Sequence, residues 1–310
     1  MLKDRLERLE FPFDFDKNSG PKAGTIGLVG LGLIGGSFAK AYKTRAPKFK
    51  VYATNRTKST LQKAIDEGFV DGVLDEKTIP ECDLILINLF PEAAIKYIEE
   101  HKQFFKPNTI VADTCGNKRG ICKEGFRISE DEDFCFIGAH PMAGTQYSGY
   151  ANSKPDMFLG SSLVLVPTLK SEYDITPRHE MIISRLRTLL APIGFGEYRV
   201  TDAATHDKMI AFTSQLGHVI ASSYIRNPAA TECYGFTGGS FRDMTRIAYC
   251  NSSMWSELFI ENKDNLTKEI DNLIYELNKF REAISEGDYE TLKMMLDEGS
   301  ERKAKMESND

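Results

Sequence analysis

Thr25-Ile26-Gly27-Leu28-Val29-Gly30-Leu31-Gly32-Leu33-Ile34-Gly35 is the stretch that decides the fold. Its first five residues form a short apolar run that ends in glycine, and residues 33–42 read as a helix. A G-x-G-x-x-G turn placed between a strand and a helix is the setting in which that motif binds a dinucleotide. Gly30 makes the tight turn, Gly32 lets a pyrophosphate approach the backbone, and Gly35 lets the helix pack against the sheet. Leu33 and Ile34 open the helix, whose unpaired N–H groups and positive dipole end face the phosphates.

Moving outward, the pattern repeats. Residues 50–54 read as a second strand and 60–67 as a second helix. Leu84-Ile85-Leu86-Ile87 is an apolar run suited to a fully buried parallel strand. Residues 91–101 form a helix with Pro91 in its first turn, and 109–112, 134–138 and 161–166 are further strands. Alternating strands and helices predict an α/β, Rossmann-type doubly wound parallel sheet over 25–199. It follows an N-terminal extension, 1–24, closed by the turn signal Asn18-Ser19-Gly20-Pro21. From residue 200 to 310 the character is helical: 206–224, 241–249, 254–261, 265–284 and 289–305. In the fourth of these, Leu266, Ile270, Leu273, Ile274, Leu277, Phe280 and Ile284 recur at helical spacing. Such a stripe requires a large apolar partner, either the rest of the chain or a second copy, so 200–310 is read as an all-α helical substrate and dimerisation domain and the chain as a homodimer.

The second strand ends in Asn55-Arg56-Thr57-Lys58, about 20 residues past the glycine turn, where an NAD site places an Asp or Glu on the ribose. Asn55 does not repel a 2′-phosphate, Arg56 can pair with one through two bonds, and Thr57 and Lys58 add contacts. The expected cofactor is therefore NADP. NAD is the alternative if Arg56 and Lys58 are merely solvated charges.

Bulk properties exclude other classes. A net charge of -6 argues against a nucleic-acid binder, which usually carries a basic face, and means that an anionic substrate needs its own Arg or Lys. Six cysteines with no C-x-x-C pair read as reduced thiols of a cytoplasmic protein, with no metal site or disulfide framework. The charged N-terminus has no signal-peptide core. No apolar stretch approaches the length of a membrane span.

His140-Pro141-Met142-Ala143-Gly144 follows the strand at 134–138. A histidine at the carboxyl end of a sheet strand faces the crevice where doubly wound folds bind ligands. A neutral imidazole there suits taking a proton from an alcohol as hydride leaves; the alternative is a structural hydrogen bond. On the helical side, Ser214 and His218 share a face at i, i+4, as do Arg242 and Arg246. Trp255 stands at helical spacing from Leu258 and Phe259, as a core residue or a pocket wall. Asp207, near a helix start, could simply complement the helix dipole.

Taken in order, these pieces resemble the prephenate dehydrogenases of tyrosine biosynthesis over about residues 25–261. The resemblance rests on the glycine turn continuing through Gly36-Ser37, on His140 to Gly144 with Ser148-Gly149, on His206-Asp207 followed by Ser214-Gln215-Leu216-Gly217-His218, and on Phe241-Arg242-Asp243-Met244-Thr245-Arg246-Ile247-Ala248 with Trp255. It implies oxidative decarboxylation of prephenate to 4-hydroxyphenylpyruvate, with His140 on the substrate hydroxyl and Arg246, backed by Arg242, on a substrate carboxylate. Asp207 would steady Arg246 in the empty site. Ser214 and His218 would touch substrate or nicotinamide, and Trp255 would wall the pocket. The chain departs from the family at Asp113-Thr114-Cys115-Gly116-Asn117-Lys118, where Gly116 replaces a serine that would support the histidine. Thr114, Asn117 or a water would then do that work, with Lys118 as a local positive charge. Arogenate, the aminated analogue, is the alternative substrate. A related NADP-dependent hydroxyacid dehydrogenase is disfavoured, because Lys208 is followed four residues later by Phe212 and not by the Asn those families carry. A catalytically silent NADP-binding sensor would not keep His140, Ser214, His218 and Arg246 together.

Overall fold

The computed structural model describes residues 23–168 and 175–308. All but the last two residues of the expected extension lie outside the described residues. Eight strands form one sheet in the order β3-β2-β1-β4-β5-β6-β7-β8. They are β1 Thr25–Val29, β2 Lys50–Thr54, β3 Gly72–Val73, β4 Leu84–Ile87, β5 Ile110–Asp113, β6 Cys135–Pro141, β7 Ser162–Val166 and β8 Glu197–Val200. Five α-helices accompany them: α1 Leu33–Arg45, α2 Lys58–Asp66, α3 Pro91–His101, α4 Arg119–Ser129 and α5 Pro177–Leu190.

The central strands are buried on both faces, as a doubly wound sheet requires. Successive residues of β4 feed opposite cores: Leu84 and Leu86 join the one that holds Phe38, Tyr42 and Phe158, whereas Ile85 and Ile87 join the one that holds Ile98, Ile121 and Phe134. All four are at most 1% exposed, so each contributes about 1.5–3 kcal/mol of burial. This strand cannot turn a face to water without losing one of the two cores.

The sheet is mixed, not wholly parallel as the alternation predicts. β7 runs antiparallel to β6, with His140 opposite Val164. The connection 142–161 carries only a 3-10 turn, Tyr150–Asn152, and so lacks the helical crossover that a parallel neighbour needs. That pairing also draws the backbone of β6 on through Pro141, three residues beyond the predicted end, and His140 lies within the strand. Strand order reverses between β1 and β4, which opens the ligand crevice at their carboxyl ends. β6 is parallel to β5 and delivers His140 to the same edge.

The second half is helical. It comprises α6 Ala203–Ile210, a π-helical turn Ala211–Gln215, α7 Leu216–Ile225, α8 Gly239–Thr245, α9 Ser252–Glu261, α10 Lys263–Glu286 and α11 Tyr289–Glu307. Two expectations are corrected. The single helix expected over 206–224 is broken by the π turn. The one expected over 241–249 ends at Thr245 and continues as a 3-10 turn, Arg246–Ala248. Of the apolar stripe on α10, only Leu266 is buried, while Ile274, Leu277 and Ile284 are exposed. The chain itself therefore covers little of the stripe. No helix among the described residues is long and apolar enough to cross a membrane.

Candidate active site

Gly30 has φ +89°, and a Cβ there would lie 2.6 Å from the Asn88 carbonyl oxygen. Position 30 therefore requires glycine both for its conformation and for space. A Cβ on Gly35 would stand 1.9 Å from the Gly30 carbonyl oxygen, so the turn closes only with glycine there. A Cβ on Gly32 would meet nothing within 4 Å, so this side of the turn is open. α1 begins at Leu33 with Ile34 beside it, no side-chain cap and no acidic residue in its first turn. Its leading N–H groups are thus available to an anion. These features fit a dinucleotide pyrophosphate. The Asn55 side chain accepts from the Leu31 N–H at 3.0 Å and donates to the Thr57 carbonyl, which ties the turn to the end of β2. Asn55 therefore buttresses the glycine turn, and Arg56, Thr57 and Lys58 beside it are all exposed.

At the other end of the crevice three side chains stand in a row. His140 Nδ1 is 3.0 Å from His206 Nε2, and His206 Nδ1 is 2.7 Å from Asp207 Oδ1. Asp207 Oδ1 also accepts from the Lys118 N–H, and its Oδ2 accepts from the N–H and Nε of Arg119. Every lone pair of this carboxylate is directed at a protein donor. Although burial raises its pKa, those bonds more than offset it and the group is held below the usual carboxylate range. Arg119 goes on to grip Asp264 through two bonds of 2.7 and 2.6 Å, which lowers the Asp264 carboxyl to about 2. Burial lowers the imidazole of His206, with Asp207 partly opposing it. Burial, the neighbouring His206 ring and the Lys118 charge hold His140 well below its ordinary range. His140 is thus a neutral base at neutral pH, and its Nε2 makes no hydrogen bond among the described residues.

This geometry corrects the expected role of Asp207. Its side chain serves His206, Lys118 and Arg119, with nothing left for Arg246. Nor do Thr114 and Asn117 support His140. Thr114 donates to the Ile87 carbonyl and Asn88. Asn117 donates to the Leu258 carbonyl and Glu261 and accepts from Gln215. Lys118, expected as a local positive charge, is fully buried and paired with Asp113, whose other bonds come from the Cys115 and Ala139 N–H groups, and its charge is felt by His140. Asn262 completes the join between the two halves: its amide oxygen accepts from the Arg119 guanidinium, while its amide N–H groups donate within the helical half to the Asp207 carbonyl and to Gln215.

The helical wall carries a second group. The rings of His218 and Trp255 lie 3.7 Å apart, and Phe259 is the next ring on from Trp255. His218 Nδ1 is 2.9 Å from the Ile247 carbonyl, so that nitrogen is the donor and Nε2 keeps its lone pair. Burial lowers the His218 imidazole, the Ile247 carbonyl raises it, and the positive charge of Arg246 lowers it again. Arg246, on its 3-10 turn, is therefore a close neighbour of His218. Arg246 and Arg242 are both exposed, and Ser214 is half-buried within the π turn, which alters the i, i+4 relation expected between Ser214 and His218. No group of three or more metal-ligating side chains is brought together among the described residues.

His206 and Arg119 are the site residues that the sequence reading misses. His206 was legible only as half of the His-Asp pair; its partner, His140, is 66 positions away on β6. The signal for Arg119 is weaker still, a charge beside Lys118 whose acceptors lie on α6 and α10.

Comparison with known proteins places both halves. Residues 38–186 match the prephenate dehydrogenase nucleotide-binding domain and residues 202–298 match the prephenate dehydrogenase dimerization domain. The chain is 26% identical over 276 residues to prephenate dehydrogenase of Bacillus subtilis, covering 86% of this chain and 72% of that one. It is 29% identical over 276 residues to cyclohexadienyl dehydrogenase of Zymomonas mobilis, covering 85% and 90%. Its fold is similar to that of A. aeolicus prephenate dehydrogenase in complex with hydroxyphenyl propionate and NAD+, with a TM-score of 0.78, 24% identity, and 92% and 99% of the two chains covered. Synechocystis arogenate dehydrogenase is similar at a TM-score of 0.74 and 24% identity, with 91% and 99% covered. Since a nucleotide-binding half and a helical half of one kind are matched in the right order, the chain belongs to the prephenate dehydrogenase family of NAD(P)-dependent oxidoreductases.

Proposed function

We propose that the chain is an NADP-preferring prephenate dehydrogenase. The observation that carries the reading is His140, held neutral at the carboxyl edge of the sheet with Nε2 unbonded. It shares that edge with the glycine turn, as a base for an alcohol oxidised by a dinucleotide must. Names of the curated relatives, prephenate and cyclohexadienyl dehydrogenase, support the substrate class.

In this reading Gly30, Gly32, Leu33, Ile34 and Gly35 cradle the pyrophosphate, and a bound nicotinamide supplies the hydride acceptor. His140 Nε2 takes the proton of the ring hydroxyl as its C–H bond breaks. The ring carboxylate then leaves as CO₂. Its bonding pair flows into the dienone to give an aromatic phenolate, and His140 returns the proton. Arg246, reinforced by Arg242, fixes a substrate carboxylate, because a dianionic ligand entering an acidic protein needs a placed cation. Ser214 and His218 touch substrate or nicotinamide, and Trp255 supports the His218 ring. Arg246→Gln is expected to raise KM for prephenate about 10–100-fold, the worth of a charged hydrogen bond, while KM for NADP moves less than twofold. Equal rises for both ligands would remove Arg246 from the carboxylate site.

NADP preference rests on the absence of a carboxylate at the end of β2 and on Arg56, which makes no ion pair among the described residues. One crossed assay tests cofactor and substrate together: NADP and NAD, each with prephenate and arogenate. NADP with prephenate is expected to give the highest kcat/KM, roughly tenfold or more above NAD, one charge-assisted contact. Faster turnover with NAD refutes the cofactor reading, and faster turnover of arogenate the substrate one. A homodimer through α10 and α11 is part of the same reading. It is supported by the exposed Ile274, Leu277, Ile284, Tyr289, Met294 and Leu296 and by the match to a dimerization domain.

A further inference from the structure

We infer that His206 and Asp207 are positioning residues that set the tautomer of His140, taking over in this chain the support that a serine at position 116 would otherwise supply. The inference rests on the proposed role of His140 as base.

An ionised carboxylate only accepts hydrogen bonds, so Asp207 obliges His206 Nδ1 to carry the proton. A neutral His206 then offers a lone pair at Nε2, and His140 Nδ1, 3.0 Å away, must be the donor. His140 Nε2 is left unprotonated, the form required to accept a substrate proton. Each link leaves the next one choice. The chain is anchored beyond Asp207 by backbone N–H groups of Lys118 and Arg119, which do not titrate. When His140 gains its proton, the imidazolium keeps its Nδ1–H···Nε2 bond to His206 with the Asp207 charge behind it.

Position 116 shows why a second support is needed here. A Cβ on Gly116 would come within 3.1 Å of the Leu258 side chain. Leu258 of α9 fills the space that a serine side chain would enter, and the hydroxyls and amides nearby, on Thr114 and Asn117, are committed elsewhere. Among the described residues, His206 is the hydrogen-bond partner of His140.

The test uses the full-length chain labelled with ¹⁵N-histidine, with the His140 ring signals assigned by their loss in His140→Asn. The wild type is expected to show a protonated Nδ1 and a bare Nε2 at pH 7.5. His206→Phe, which keeps a buried ring but accepts nothing, is expected to lower kcat about 100-fold, at the low end of a general base's contribution. KM for prephenate and Kd for NADP should stay within about twofold, and the His140 nitrogens should shift toward the other tautomer. In His206→Gln an amide oxygen can again accept from His140 Nδ1, and at least roughly tenfold of the lost kcat should return. A merely structural His206 would move KM, Kd and kcat together and leave the nitrogens alone. A wild-type His140 protonated at Nε2, or a His206→Phe enzyme within threefold of wild-type kcat, overturns the inference. Should His206→Phe fail to fold, the wild-type nitrogen signals decide alone. They need no substrate, so a chain inactive on both prephenate and arogenate would sink the substrate reading and still test the tautomer.

Discussion

His140→Asn is expected to lower kcat about 10³-fold or more and to change Kd for NADP less than twofold. The asparagine amide can still donate toward His206 Nε2, so the buried row of His140, His206 and Asp207 stays filled. What disappears is the ring nitrogen that faces the crevice, and with it the proton acceptor, a contribution of about 10²–10⁴ in rate. The glycine turn lies at the far side of the crevice and keeps its geometry. The wild-type pH profile supplies an independent check. A base must be unprotonated to act, and burial, His206 and Lys118 all lower the His140 imidazole. The acid limb of kcat/KM should therefore fall at a pH below the 6.5 of an ordinary histidine, with activity retained above it. A limb at or above 6.5, or a His140→Asn enzyme within tenfold of wild type, would remove His140 from the role of base.

Asp113→Ala is expected to cost about 3–5 kcal/mol of stability in chemical denaturation, the penalty for leaving a buried charge without its partner. Asp113 and Lys118 are both 0% exposed. Burial alone would lower the lysine, yet its neighbours, Asp113 foremost, hold it above its ordinary value, so the ammonium owes its charge chiefly to this carboxylate. The substitution also strips an acceptor from the Cys115 N–H. Adding Lys118→Met to the same chain should restore most of the loss, since an apolar side chain of similar length removes the stranded charge. A single variant that loses less than about 1 kcal/mol would show that the ammonium finds water or another acceptor, and that the pair is not the anchor of this loop.

Fold and site were legible to different depths. β2, β4 and α3 stand at the residues the sequence reading assigns, because a short apolar run or a proline at the first turn marks each boundary locally. α4 went unread. Gly120 and Gly125 interrupt its pattern, and the reason for Gly125 lies elsewhere: a Cβ there would strike the Phe136 ring at 2.4 Å. The direction of β7 was equally invisible, since a period of two is the same read either way. In the site, glycines and His140 announce themselves by type and by order along the chain. The partner of His140 does not, because what selects His206 is a contact between β6 and α6. Asp207 was placed on the wrong cation for the same reason. Arg246 and Arg119 are alike as letters, and only the packing of α4 against α6 brings Arg119 to Asp207.

The π turn at Ala211–Gln215 makes the site a matter of residue counting. His206 and Asp207 precede it on α6, and Ser214 and His218 lie in or after it. An α-helix advances about 100° per residue, and a π turn takes up more chain per revolution than an α turn does. Winding Ala211–Gln215 as ordinary α-helix at the same chain length would swing His218 and the rest of α7 by about 100° relative to Asp207, because the wider turn absorbs one residue more than an α turn does. Trp255 and Arg246 could not follow, since they are held on other segments. The alignment of the two walls of the crevice is thus stored in the width of one turn, and closing that turn without removing a residue would unmatch them with every named side chain still present.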